Sequence, residues 1–87
     1  MSVYLVSYDL DHPKEFGGYE YFHAELRKTR ARRVLQEVWV LRSALKADAI
    51  RDALLKFVHD EDRILVAEVS ERNWATWKAM AEIAERE

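Results

Sequence analysis

The residues best suited to chemistry lie just past the first apolar run, at Asp9, Asp11 and His12. Residues two apart share one side of an extended segment, so Asp11 can assist Asp9. A hard cation such as Mg²⁺ or Mn²⁺ takes oxygen ligands and keeps several waters, so one or two carboxylates plus a substrate phosphate can hold it. Water on such an ion can attack phosphorus while the metal offsets charge on the phosphoryl oxygens. His12 is close enough in sequence to act as a ligand or general acid. The same residues also suit an Asx-type turn that ends a strand and opens a loop.

A second feature is a run of cations, Arg27, Lys28, Arg30, Arg32 and Arg33, where an expected helix passes into an expected strand. Like charges this dense destabilise one another unless they are solvated or paired. They can face nucleic-acid phosphates, with binding that weakens steeply in salt and shows little sequence preference. They can equally be a solvated helix end, where cations complement the dipole. His23 falls on an apolar stripe with Tyr19, Phe22 and Leu26, which makes it a packed, hydrogen-bonded side chain. His59 reads as a helix-end residue. Tyr19-Glu20-Tyr21 can form the edge of a binding loop, and Trp74 and Trp77 suit the packing face of a docked helix better than a base-stacking platform. No phosphate loop, nucleophile elbow, zinc motif or dinucleotide fingerprint occurs, so no organic cofactor is expected.

The elements that must position these groups follow from periodicity. Val3 to Tyr8 is β-branched and aromatic on both faces, as in a central strand. Asp9 to Gly18 breaks the pattern with Pro13 and Gly17-Gly18. A helix is expected from about Tyr19 to Thr29. Arg33-Val34-Leu35 and Val38-Trp39-Val40-Leu41 read as two short strands turning at Gln36-Glu37, or as one continuous strand. Ala47, Ile50, Ala53, Leu54, Phe57 and Val58 form an amphipathic helical stripe that ends at His59-Asp60-Glu61-Asp62. Ile64 to Val69 is a further strand, and Ser70 suits the N-cap of a last helix bearing Trp74, Trp77, Ala81 and Ala84.

This order, βαββαβ plus a helix, predicts an α+β, ferredoxin-like sandwich with both helices on one face of a mostly antiparallel sheet. The expected domain is single, with a core over 1–70 and a C-terminal helix over 71–87. The sheet's other face would be bare in a monomer, which predicts a homodimer of stacked sheets. The 87 residues include no cysteine, so disulfides and thiolate sites are excluded and a reducing cytoplasm is the natural setting. The first run meets acids too soon for a signal peptide, and no apolar run is long enough to span a membrane. The net charge of −2 excludes a wholly basic nucleic-acid coat, while leaving room for the local basic run.

Tyr8-Asp9 at a strand end, the basic first helix, Arg33-Val34-Leu35-Gln36, the Ala49-to-Leu55 helix and Asp60-Glu61-Asp62 leading into Arg63-Ile64-Leu65-Val66 occur in a suggestive order. In order and spacing they resemble the CRISPR-associated Cas-two superfamily over roughly residues 1–70. The resemblance is greatest to the SinR-like branch outside CRISPR operons, and virulence-associated protein D shares the architecture. It implies a dimer whose central cleft takes Mg²⁺ or Mn²⁺ on Asp9 of each protomer. It also implies binding of RNA or DNA, with phosphodiester hydrolysis by an endonuclease in some members. The chain departs from the family at Val38-Trp39-Val40-Leu41, which lacks the family's serine and phenylalanine, and in the insert Asp9 to Gly18. Those departures, with the acidic total charge, favour the alternative of a non-catalytic dimeric interaction module that meets a protein partner through its C-terminal helix.

Overall fold

The computed structural model describes residues 1–11 and 16–80, with residues 16–18 by backbone alone. Strand β1 (Ser2–Asp9) is followed by helix α1 (Phe16–Lys28), strands β2 (Arg32–Leu35) and β3 (Val38–Ser43), helix α2 (Ala47–Leu54) and strand β4 (Arg63–Val69). The result is an α+β unit with one four-stranded antiparallel sheet in the order β2-β3-β1-β4. Gln36-Glu37 is a turn, so the two-strand reading of the middle segment is the correct one.

Alternation along β1 sorts the sheet into two faces. Tyr4, Val6 and Tyr8 enter one apolar cluster with Tyr19, Phe22 and Leu26 of α1, Trp39 and Leu41 of β3, and Ile50 and Leu54 of α2. Both helices therefore cover the same face. Phe22 and Val6 are fully buried there, and each such side chain contributes about 1.5–3 kcal/mol by leaving water. Val3, Leu5, Ser7 and Asp9 point the other way. Their cross-strand partners on β4 are Val69, Ala67, Leu65 and Arg63.

Helix α1 stops without glycine. Arg30 takes the left-handed conformation at φ 62°, its N–H donates to the Arg27 carbonyl at 3.0 Å, and Ala31 N–H reaches back to the Leu26 carbonyl at 3.2 Å. This is the Schellman arrangement, with an arginine at the position glycine usually fills. Helix α2 is shorter than its apolar stripe suggested, because Leu55–Phe57 tightens into a 3-10 turn.

The tail departs from expectation. Ser70 Oγ does accept the N–H groups of Arg72 and Asn73, at 3.0 and 3.3 Å, as an N-cap would. No helix follows through residue 80, and the expected positions Ala81 and Ala84 lie outside the described residues. The segment instead crosses the helix-free face. Arg42 Nη1 holds Glu71 Oε1 at 2.6 Å, Ala79 packs on the buried trio Val3, Val34 and Val40, and Met80 N–H donates to the Val34 carbonyl at 2.7 Å. Asn, Thr and Trp are modest helix formers, and a buried apolar trio plus a carbonyl of the edge strand β2 offer the tail more than helix propensity does. The second face is thus partly covered within one chain rather than bare. Leu5, Ser7, Val38 and Ala67 remain half-buried on it, and Leu65 is exposed.

Candidate functional site

Asp9 is the last residue of β1 and is exposed. Opposite it in the register stands Arg63. The two border a shallow recess with Ser7, Tyr8, Ile64 and Leu65 on the helix-free face. Asp11 is also exposed, and its backbone N–H donates to Asp62 Oδ1 at 2.9 Å. His12 lies outside the described residues. Among the described residues no three His, Asp or Glu side chains converge to hold a metal ion. Asp9 alone offers one carboxylate, whereas Mg²⁺ or Mn²⁺ takes several oxygen ligands. Asp9 would thus supply one ligand of such a site, and a substrate phosphate, waters or a second protomer would have to supply the rest.

Asp62, which the sequence offered only as part of a polar turn, organises this end of the molecule. Besides the Asp11 amide, Oδ1 accepts the Tyr19 hydroxyl at 3.0 Å, and Oδ2 accepts the His59 N–H at 2.8 Å. Burial alone would raise its pKa. The donors from Asp11, His59 and Tyr19 outweigh that and hold the carboxyl below the usual range. The His59 ring meets Tyr19 edge-on at 6.0 Å, in keeping with a helix-end packing role. Tyr19 is buried and Tyr21 exposed. Both border a recess with Lys56, Phe57, Val58 and His59.

On the opposite, helix-covered face a second constellation forms around Trp39. Its indole Nε1–H donates to the Tyr8 hydroxyl at 2.8 Å, and that hydroxyl lies 3.3 Å from His23 Nε2. The His23 ring stacks on Trp39, with centroids 6.0 Å apart and planes 19° from parallel. Arg27 and Arg33 both place their guanidinium carbons over the same indole, at 5.9 and 5.5 Å. Arg33 is pinned there, with Nε and Nη2 donating to the Gln36 carbonyl at 2.9 and 2.6 Å. Burial, then the charges of Arg33 and Arg27, lower the His23 pKa, so the imidazole is neutral at pH 7. Burial raises that of Tyr8, partly offset by the Trp39 donor. His23 is the packed, hydrogen-bonded histidine that its stripe predicted. Trp39 carried no signal beyond that of a strand residue.

The basic run does not make one patch. Arg27 and Arg33 come together over Trp39, whereas Arg32 pairs with Val40 and so points to the other face. Lys28 sits 3.6 Å from Glu25, an exposed i,i+3 pair that contributes little, and Arg30 is exposed at the helix stop. Asp9 and the Arg27–Arg33 pair lie on opposite faces of the sheet. No helix among the described residues is long and apolar enough to cross a membrane. Comparison with family models, with curated proteins and with solved structures finds no match to this chain.

Proposed function

We propose that this chain is a cytoplasmic, Cas-two-like nucleic-acid-binding domain of ferredoxin-like fold that works as a homodimer. The observation that carries the reading is the pair of guanidinium groups, Arg27 and Arg33, held over one indole with no carboxylate paired to either among the described residues. Such a pair suits phosphate, because guanidinium donors match phosphoryl oxygens and the charge asks for an anion. The βαββαβ order and the strand sequence β2-β3-β1-β4 support the ferredoxin-like assignment. The part of the second face left open around Leu5, Ser7 and Leu65 supports stacking against a second copy. Cleavage dependent on Mg²⁺ or Mn²⁺ would need Asp9 from both protomers.

The test is binding of single-stranded RNA, single-stranded DNA and duplex DNA across a salt series. Affinity is expected to fall steeply with salt, and each of Arg27→Ala and Arg33→Ala should reduce the log–log slope by about 1. Nuclease assays with and without the two metals, beside Asp9→Ala, address catalysis. Cutting that disappears in the variant supports the paired-carboxylate site, and cutting that persists removes Asp9 from the reaction. Absence of binding at low salt would sink the nucleic-acid reading in favour of a protein-interaction module. That second reading rests on Trp77 and Met80, 83% and 63% exposed on the crossing tail.

A further inference from the structure

The cluster around Trp39 has features that phosphate binding in general does not require. A surface that merely tracks a nucleic-acid backbone needs cations, and mobile ones serve well. Here one of the two arginines is fixed. The Gln36 carbonyl takes two donors of Arg33 and so fixes its guanidinium, whose charge and hydrogen bonding are also felt at the Tyr8 hydroxyl. Arg27 stands on the last turn of α1, exposed, on the same indole. Between these elements lies the half-buried His23 ring, held by stacking on Trp39 and by the Tyr8 hydroxyl at Nε2, so that Nδ1 is its remaining polar atom. The charge of Glu37 is felt at Tyr8, and no ion pair joins it to either arginine among the described residues.

We propose that Arg27, Arg33 and His23 form a discrete oxyanion site on the helix-covered face that takes a single phosphate group. One fixed and one exposed guanidinium, with His23 Nδ1 beside them in the tautomer that carries its hydrogen there, supply the charge and donors that one phosphoryl group needs. The site deepens the nucleic-acid reading and rests on it for the source of the phosphate, either a terminal phosphate or an internal phosphodiester. It is separate from Asp9, which points out of the other face. A bound anion would also oppose the effect of Arg27 and Arg33 on the imidazole, so ligand and His23 titration are linked. The groups facing that ring are Tyr8 from β1, Trp39 from β3, Arg27 from α1 and Arg33 from β2.

The experiment follows the His23 ring resonances by NMR in the full chain during titration with inorganic phosphate, against chloride at matched ionic strength. Phosphate is expected to move the His23 signals and raise its pKa. Arg27→Gln should weaken the effect at least tenfold, Arg33→Gln likewise, and Lys46→Gln, which removes an exposed cation at the start of α2, should leave it unchanged. Arg27 is exposed and outside the core, so its variant stays informative even if Arg33→Gln disturbs the Gln36 turn. A 5′-phosphorylated oligoribonucleotide that binds more tightly than its 5′-hydroxyl counterpart assigns the site to a terminal phosphate. Equal binding, with the same dependence on Arg27, assigns it to the backbone. Nucleic acid that binds while the His23 signals stay fixed and Arg27→Gln behaves as wild type would overturn the site and leave the broader reading intact. An Arg27-dependent phosphate response without any oligonucleotide binding would keep the site and remove nucleic acid as its source.

Discussion

Replacing Asp62 by alanine should be the most damaging single change outside the apolar core. The carboxylate takes the Asp11 amide, the His59 amide and the Tyr19 hydroxyl, tying the end of β1, α1 and the α2–β4 turn to one side chain. A hydrogen bond to a charged group contributes about 1.5–3 kcal/mol when well shielded. Asp62 is only half-buried and the three bonds share one group, so about 2–3 kcal/mol for their joint loss is reasonable. At this chain length that corresponds to a fall in Tm of roughly 10–20 °C. Asp62→Asn keeps one acceptor oxygen and loses the bond from His59, so it should fall between wild type and alanine. Because the folded carboxyl has a lowered pKa, its stabilisation is present above the unfolded carboxyl range near pH ~4 and is lost as pH falls through the folded value. Urea unfolding at pH 7 and in acid measures both effects, and hydrogen exchange at the Asp11 amide reports the local release. A loss below about 0.5 kcal/mol at pH 7, typical of a plain surface change, would refute the reasoning. A gap between wild type and alanine that failed to narrow in acid would refute it too.

Two further outcomes can be checked in the same apparatus. Arg30→Gly should stabilise the domain by about 0.5–1 kcal/mol, since a β-carbon is disfavoured at φ 62°; an unchanged or lower urea midpoint would show that the arginine side chain contributes more than its backbone costs. His23 is held neutral, with a folded pKa below the ordinary value, so the unfolded chain binds its proton first. Stability should therefore decline as pH falls below about 6.5, and His23→Gln should remove that part of the slope between pH 7 and 5.

The strands and both helix positions were legible because apolar residues recur at the right periods, whereas the turn at Gln36-Glu37 was one of two readings that the sequence left open. Three things were not. The stop of α1 has no glycine, and Arg30 takes the left-handed conformation there with Ala31 packed against the core behind it. The basic run reads as one feature along the chain, yet Arg32 and Arg33 are neighbours in a strand and must point to opposite faces. The tail has tryptophans at helical spacing, but what it packs on is Val3, Val34 and Val40, assembled from three strands far away in sequence. Asp9 was visible as a strand-end carboxylate. Asp62, which shapes the same end of the sheet, was not, because its role depends on donors that arrive from two distant segments.

The strand order also bears on how the chain reaches this state. β1 is the first element in the sequence and sits in the middle of the sheet, with neighbours from residues 38–43 and 63–69. The β2–β3 hairpin and α2 involve short loops and can form early. The central strand, in contrast, waits for two long-range closures, each carrying its own entropy cost. During synthesis its apolar side chains emerge first and gain their last partner only when β4 is available. The period of greatest exposure to misassociation therefore falls before residue 69 joins, and variants that weaken β4 should aggregate while nascent more readily than their equilibrium stability would suggest.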